Sequence, residues 1–271
     1  MATSSPRKLA VITGASSGIG YHLARVCAQN NFDLIVIANE PDIHRAAADF
    51  RALGTHVEAL QAELSEDRGV DEVVSAIGAR RVSALLANAA TGLGNGFLDQ
   101  DFESVRKIVN TNILQTLHLI HRVVGDMRRH REGRVLITGS IAGFSPGPFN
   151  AVYNASKAFI DSFSWALRTE LRDTGVTVTC LMPGATETEF FERAGLRDTK
   201  LGQAPKDDPA DVAEIGFRAM MEGDGDVVTG WYNKVAAAVA NITPAAMLAE
   251  QHRKLAEPGS GNTDERVADR A

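Results

Sequence analysis

The chemistry available to this chain concentrates on two hydroxyls and one ammonium. Tyr153 is one of three tyrosines among 271 residues and stands in YNASK, with Lys157 four positions on. In a helix that spacing puts both side chains on one face. A phenol ordinarily ionises near pH ~10, and an adjacent ammonium favours the phenolate and can lower that value by ~1–3 units. Such a pair suits general acid–base work on a carbinol proton. Ser140 precedes them at the end of ITGS, where its hydroxyl can hydrogen-bond a substrate oxygen as charge develops on it. A YxxxK pattern alone also occurs on solvated helix faces, so its weight comes from what accompanies it.

A second cluster is built for phosphate. TGASSGIG, residues 13–20, follows a short β-branched run and opens a helical stretch. Gly14 can take backbone angles forbidden to side chains, Gly18 lets the chain approach a pyrophosphate, and Gly20 lets helix and strand pack closely. Ser16, Ser17 and Ile19 complete the turn, and the free N–H groups of the helix start face the phosphates. The spacing is Gly-x3-Gly-x-Gly rather than GxGxxG, and a plain tight turn is the alternative. Gly92, Gly94 and Gly96 have no helix starting after them and read as a flexible rim. The second strand ends at Ala38, Asn39 and Glu40. A carboxylate there favours a ribose 2′-hydroxyl and an arginine favours a 2′-phosphate. With a carboxylate and no arginine the expectation leans to NAD over NADP, although Glu40 can equally cap the helix after Pro41.

These groups need a scaffold, and the pattern supplies one. Short β-branched runs alternate with amphipathic stretches from residue 8 to about 230, which predicts parallel strands joined by crossover helices. Strands are expected at 9–13, 33–38, 56–60, 84–87, 134–138, 177–182 and 226–229. Helices are expected near 18–30, 42–53, 67–78, 102–130, 151–173 and 209–222. The result is an α/β fold, a single Rossmann-like doubly wound parallel sheet with helices on both faces. Residues 1–230 form the dinucleotide-binding catalytic domain, with a substrate flap at 185–208. Residues 231–271 are an extension whose apolar segment, broken at Pro244, reads alike as a subunit contact, a pocket lid or a membrane-surface helix. The last dozen residues are expected to fray.

Composition excludes several classes. A hydrophobic share of 44% and a charged share of 23% fit a globular chain, and a net charge of −6 disfavours nucleic acid and anionic membrane as partners. Cys27 and Cys180 cannot make a disulfide framework and read as core thiols of a reducing compartment. The apolar run after Lys8 is too short for a signal segment, so the cytoplasm is expected. His118 and His121 lack a third ligand and are read as surface or contact residues, with no metal expected. GDGD at 223–226 reads as a turn, and the Asn241 sequon is irrelevant without secretion.

Taken in order, TGASSGIG, Ser140, YNASK and PGATET at 183–188 resemble the short-chain dehydrogenase/reductase family over about residues 8–230. The resemblance implies an NAD(P)-dependent oxidoreductase interconverting an alcohol and a ketone or aldehyde. It makes Tyr153 the acid/base, Lys157 the tuner of its pKa and a ligand of the nicotinamide ribose, and Ser140 the orienter of the carbonyl. Asn112 in VNTNILQT matches the asparagine that kinks the long helix and holds a relay water, with Asn110 a nearby competitor. Pro183, Gly184, Thr186 and Thr188 match the loop holding the carboxamide. Asn88, Ala89 and Ala90 stand where the family has NAG, so Ala90 replaces a glycine and a slightly shifted turn is expected. Glu63 replaces the usual aspartate at the adenine, where the Leu64 backbone can share the contact. Phe144, Phe149, Phe190 and Phe191 suggest an apolar substrate wall. Family members commonly pair through the two long helices, so a homodimer or homotetramer is expected. The rival is a non-catalytic dinucleotide-binding sensor or scaffold. An epimerase or dehydratase on a nucleotide sugar also shares YxxxK, but lacks support in the glycine turn and in the size of the C-terminal part.

Overall fold

The computed structural model describes residues 7–240 and 242–261; Asn241 of the sequon and the tail beyond 261 lie outside the described residues. Strands β1 (Lys8–Thr13), β2 (Phe32–Ala38), β3 (Val57–Gln61), β4 (Val82–Ala87), β5 (Gly133–Thr138), β6 (Val176–Met182) and β7 (Asp226–Val228) make one parallel sheet. Their order is β3-β2-β1-β4-β5-β6-β7. Direction of travel therefore reverses between β1 and β4, and a crevice opens at the carboxyl ends there.

The strands are apolar on both faces because both faces are covered. Ala10 and Ile12 of β1, with Leu34 and Val36 of β2, pack against helices α1 (Gly18–Gln29) and α2 (Asp42–Arg51). Leu9, Val11, Ile35 and Ile37 face the other way, towards α3 (Asp67–Ile77) and the helices that follow β4. Phe50 and Leu23 are fully buried on the first side and Leu85 on the second.

The expected helix over 102–130 is present and distorted near its middle, at Asn112, where the resemblance implies a kink. It runs as α4 (Phe102–Val109), a π-helical stretch over Asn110–Gln115, and α5 (Thr116–His130). One extra residue per turn widens the coil there, a distortion the apolar period does not reveal. Helix α6 (Ala151–Glu170) stops before 173, where Asp173 and Gly175 take left-handed backbone angles and turn the chain into β6. The flap contains two short helices, α7 (Phe190–Arg193) and α8 (Lys200–Gln203), followed by α9 (Pro209–Glu222). The C-terminal segment forms α10 (Trp231–Ala240) and α11 (Ala245–Ala256), with the break at Pro244. Among the described residues no helix is long and apolar enough to cross a membrane.

Candidate active site

At the end of β1 the glycine turn takes the shape that its residue types allow. Gly14 and Gly18 have φ of +67° and +54°, the left-handed region. A Cβ on Gly18 would lie 2.8 Å from Thr188 Cγ2, and one on Gly20 would strike the Gly14 carbonyl oxygen. Ser17 is the N-cap of α1 but makes no side-chain cap, so the first N–H groups of the helix are left for another acceptor. These backbone groups form one end of a cleft of about 450 Å3. Its walls include Gly14, Ser16, Ser17, Gly18, Ile19 and Gly20, and the size suits an extended small molecule. The turn therefore fits the diphosphate of a dinucleotide.

Beyond the turn, Asn39, Glu40, Glu63 and Leu64 line the same cleft from the ends of β2 and β3. Glu40 does not cap α2, whose N-cap is Pro41. Its carboxylate instead accepts both terminal nitrogens of Arg193, at 2.8 and 2.9 Å, which arrives from the flap. The absence of an arginine near β2 in sequence is thus corrected by the fold. Glu63 accepts from Lys107 Nζ at 2.8 Å and from the Ser65 N–H at 2.9 Å. Burial alone would raise its pKa, but these partners hold the carboxyl below the ordinary value.

Under the middle of the cleft a hydrogen-bonded chain ties three strand ends together. Thr13 Oγ1 accepts the N–H groups of Asn88 and Ala89, each at 3.0 Å. Thr138 Oγ1 donates to Asn88 Oδ1 at 3.0 Å, and the Thr138 carbonyl accepts from Lys157 Nζ at 2.7 Å. The glycine turn and the lysine are therefore held by one network. Ala90 lines the cleft, and its backbone is not in the left-handed region, so replacing the family glycine brings no φ strain.

Ser140, Tyr153 and Lys157 also line this cleft. Ser140 caps the short turn after β5, accepting the Ala142 N–H at 3.1 Å. Asn154, buried beside Tyr153, donates to the carbonyls of Ala142 and Ser145 at 3.0 and 3.1 Å and so pins the serine loop to α6. Lys157 Nζ lies 5.8 Å from the centre of the Tyr153 ring. Burial pushes the Tyr153 phenol up to about 12, with Ser140 opposing and Asp161 adding to the rise. Burial takes Lys157 itself down to about 8, against the pull of Asp161.

Asn112 sits where the long helix is distorted, the position of the kink that the resemblance implies. It is buried in the π-helical stretch and does not line the cleft. Its amide donates to the Thr91 carbonyl at 2.9 Å and Ser156 Oγ at 3.0 Å, while Oδ1 accepts the Thr91 N–H at 2.9 Å. With both amide donors used, the side chain braces the rim against α6.

Pro183, Gly184, Thr186 and Thr188 form the wall after β6. A Cβ on Gly184 would strike Asn233 of α10, whose amide bonds the Asp207 carboxylate at 3.0 Å and the Thr229 carbonyl at 2.7 Å. Phe190 and Phe191 enter the cleft, and the Phe190 ring lies 4.8 Å from that of Tyr153. Phe144 and Phe149 do not line it, which narrows the expected aromatic wall to the flap pair. Gly92 and Gly94 are places of close approach: the Gly94 N–H donates to the Ala194 carbonyl at 2.6 Å, and a Cβ on Gly92 would meet the Phe190 ring. Lys107, Arg193 and His252 are wall residues that no local motif marks, since each arrives from a remote element. His252 of α11 lines the outer cleft with Nδ1 3.0 Å from the Pro148 carbonyl, giving the C-terminal segment a share in the wall.

A family profile described as short chain dehydrogenase matches residues 8–199. An uncharacterized oxidoreductase of Myxococcus xanthus is 28% identical over 256 residues, 92% of this chain and 97% of the relative. Sulfoacetaldehyde reductase 2 of Chromohalobacter salexigens is 32% identical over 223 residues, 77% of this chain and 86% of that protein. A short-chain dehydrogenase from Sphingobium yanoikuyae, solved in complex with NADPH, superposes with a TM-score of 0.78 at 26% identity, covering 87% of this chain and 94% of the other.

Proposed function

Since the chain belongs to the short-chain dehydrogenase family and is an oxidoreductase acting between CH–OH and C=O, we propose that it reduces an apolar ketone or aldehyde, and reversibly oxidises the alcohol, with Tyr153 as the acid/base. The observation that carries this reading is a single cleft with the glycine turn at one end and Ser140, Tyr153 and Lys157 in its wall. NAD(P) held along that cleft, its diphosphate on the glycine turn and its nicotinamide end beside Lys157, would supply or accept the hydride. The remaining work falls to this chain. Ser140 orients the substrate oxygen, and the protonated phenol of Tyr153 gives its proton to that oxygen as negative charge grows on it. With its pKa pushed up to about 12, Tyr153 is protonated at neutral pH, the form that donates to the carbonyl oxygen. Lys157, anchored on the Thr138 carbonyl, is the ammonium beside the phenol and the group placed for the nicotinamide ribose.

Substrate choice follows the wall. Phe190, Phe191, Ile141 and Leu201 give the chamber an apolar side. The flap carboxylates Glu187 and Glu192 are each paired, with Lys206 and Arg197, while Glu189 shares Arg193 with Glu40. The test is consumption of NADH or NADPH with a series of ketones and aldehydes graded in size and polarity. Turnover on apolar carbonyls is expected; cofactor binding with no turnover on any carbonyl would favour the sensor reading instead.

A further inference from the structure

The flap delivers an arginine to the place where dinucleotide-binding folds distinguish a ribose 2′-hydroxyl from a 2′-phosphate. Arg193 Nη1 and Nη2 each donate to a different oxygen of Glu40, at 2.8 and 2.9 Å, a forked pairing that fixes the guanidinium plane. Nη2 also reaches Glu189, one turn back along the chain. Both Arg193 and Glu40 face the cleft beside Asn39. The other basic groups of the lining are engaged elsewhere, Lys107 with Glu63 and Lys157 with the Thr138 carbonyl.

We propose that Arg193, a residue of the substrate-side flap, sets together with Glu40 which dinucleotide the protein accepts. This rests on the dinucleotide reading above and names the residue that decides its finer outcome. An unpaired carboxylate at this strand end accepts from a 2′-hydroxyl and repels a 2′-phosphate. Paired with Arg193, Glu40 has its charge offset while its oxygens retain lone pairs for the hydroxyl. A phosphate, in turn, meets a planar fork suited to two of its oxygens. The triad of Glu40, Arg193 and Glu189 carries one net negative charge, so the unaltered protein favours the cofactor without the phosphate. Loss of Glu40 leaves Arg193 free for the phosphate, and loss of Arg193 leaves Glu40 bare. Because Arg193 shares α7 with Phe190 and Phe191, whatever engages the 2′ position also holds the wall of the substrate chamber.

The Glu40 and Arg193 side chains are 30% and 47% exposed, and pairs of that exposure contribute little to folding, so substitutions here leave the fold in place. NADH and NADPH are titrated separately, by nucleotide fluorescence, into the full chain and its Glu40→Gln, Arg193→Ala and double variants. Glu40→Gln is expected to tighten NADPH about tenfold while weakening NADH. Arg193→Ala is expected to weaken NADPH about tenfold and NADH by less than about threefold. In the double variant the NADPH gain disappears. Equal changes for both nucleotides in Arg193→Ala, or a gain from Glu40→Gln that survives without Arg193, would overturn the proposal. An unaltered protein that binds neither nucleotide overturns the dinucleotide reading itself, and this one with it.

Discussion

At the scale of single residues, electrostatics inside the cleft decide what Tyr153 can do. Its type and its spacing from Lys157 are visible in YNASK, and so is Ser140 at a strand end. The sign of the pKa shift is not visible, because it depends on how much water the fold removes. Desolvation outweighs the Ser140 hydrogen bond, with Asp161 adding to the rise, and holds the phenol at about 12. The proton is therefore retained across the neutral range, and stability from this group is lost as pH rises between the ordinary value near ~10 and the folded one. We expect the difference in tyrosinate absorbance between unaltered protein and Tyr153→Phe, without cofactor, to titrate above pH ~10. A midpoint below that value would mean that Lys157 already controls the phenol. Asn112 teaches the converse: its identity was legible by resemblance, but its role as a brace follows from three hydrogen bonds that only the fold brings together.

Elements were legible where burial imposes a period. The strands read as short β-branched runs because both sheet faces are covered, and the helix expected near 209–222 is α9, capped in the structure by Asp208 and ended by a left-handed Gly223. The π-helical stretch was not legible in the apolar pattern, which one added residue leaves almost unchanged; only the resemblance marked a kink, at Asn112. The glycine turn carries the sharpest test at this scale. Gly20→Ala puts a methyl against the Gly14 carbonyl oxygen, and overpacking of this kind costs about 1–3 kcal/mol. Gly125→Ala, in α5 with open space around it, is expected to be neutral or to stabilise by up to about 1 kcal/mol. Thermal or denaturant unfolding of the two variants checks the contrast, with loss of nucleotide binding confined to the first. Equal stability changes would show that the turn has slack.

For the whole molecule, the sheet order places the ends of β1, β2, β4, β5 and β6 around one crevice, and the chain fills it from sites far apart in sequence. That is why the pairing of Glu40 with Arg193, 153 positions away, escaped a local reading, as did His252 from α11. The outer surface bears Phe102, Leu114 and Phe159, which are 62%, 53% and 42% exposed on the packed helices α4 to α6. Large apolar side chains left in water on one side of a molecule mark a contact surface. We expect sedimentation to show a dimer or larger species that Phe159→Glu shifts towards monomer; a monomeric unaltered protein would contradict this. The central claim is that one cleft binds the nucleotide and that Tyr153 moves the proton. Its most direct test is Tyr153→Phe, measured for both NAD(P)H affinity and carbonyl turnover. Affinity within about threefold of the unaltered protein and turnover reduced about 10²–10⁴-fold are expected from the loss of a general acid alone. Undiminished turnover would contradict the account.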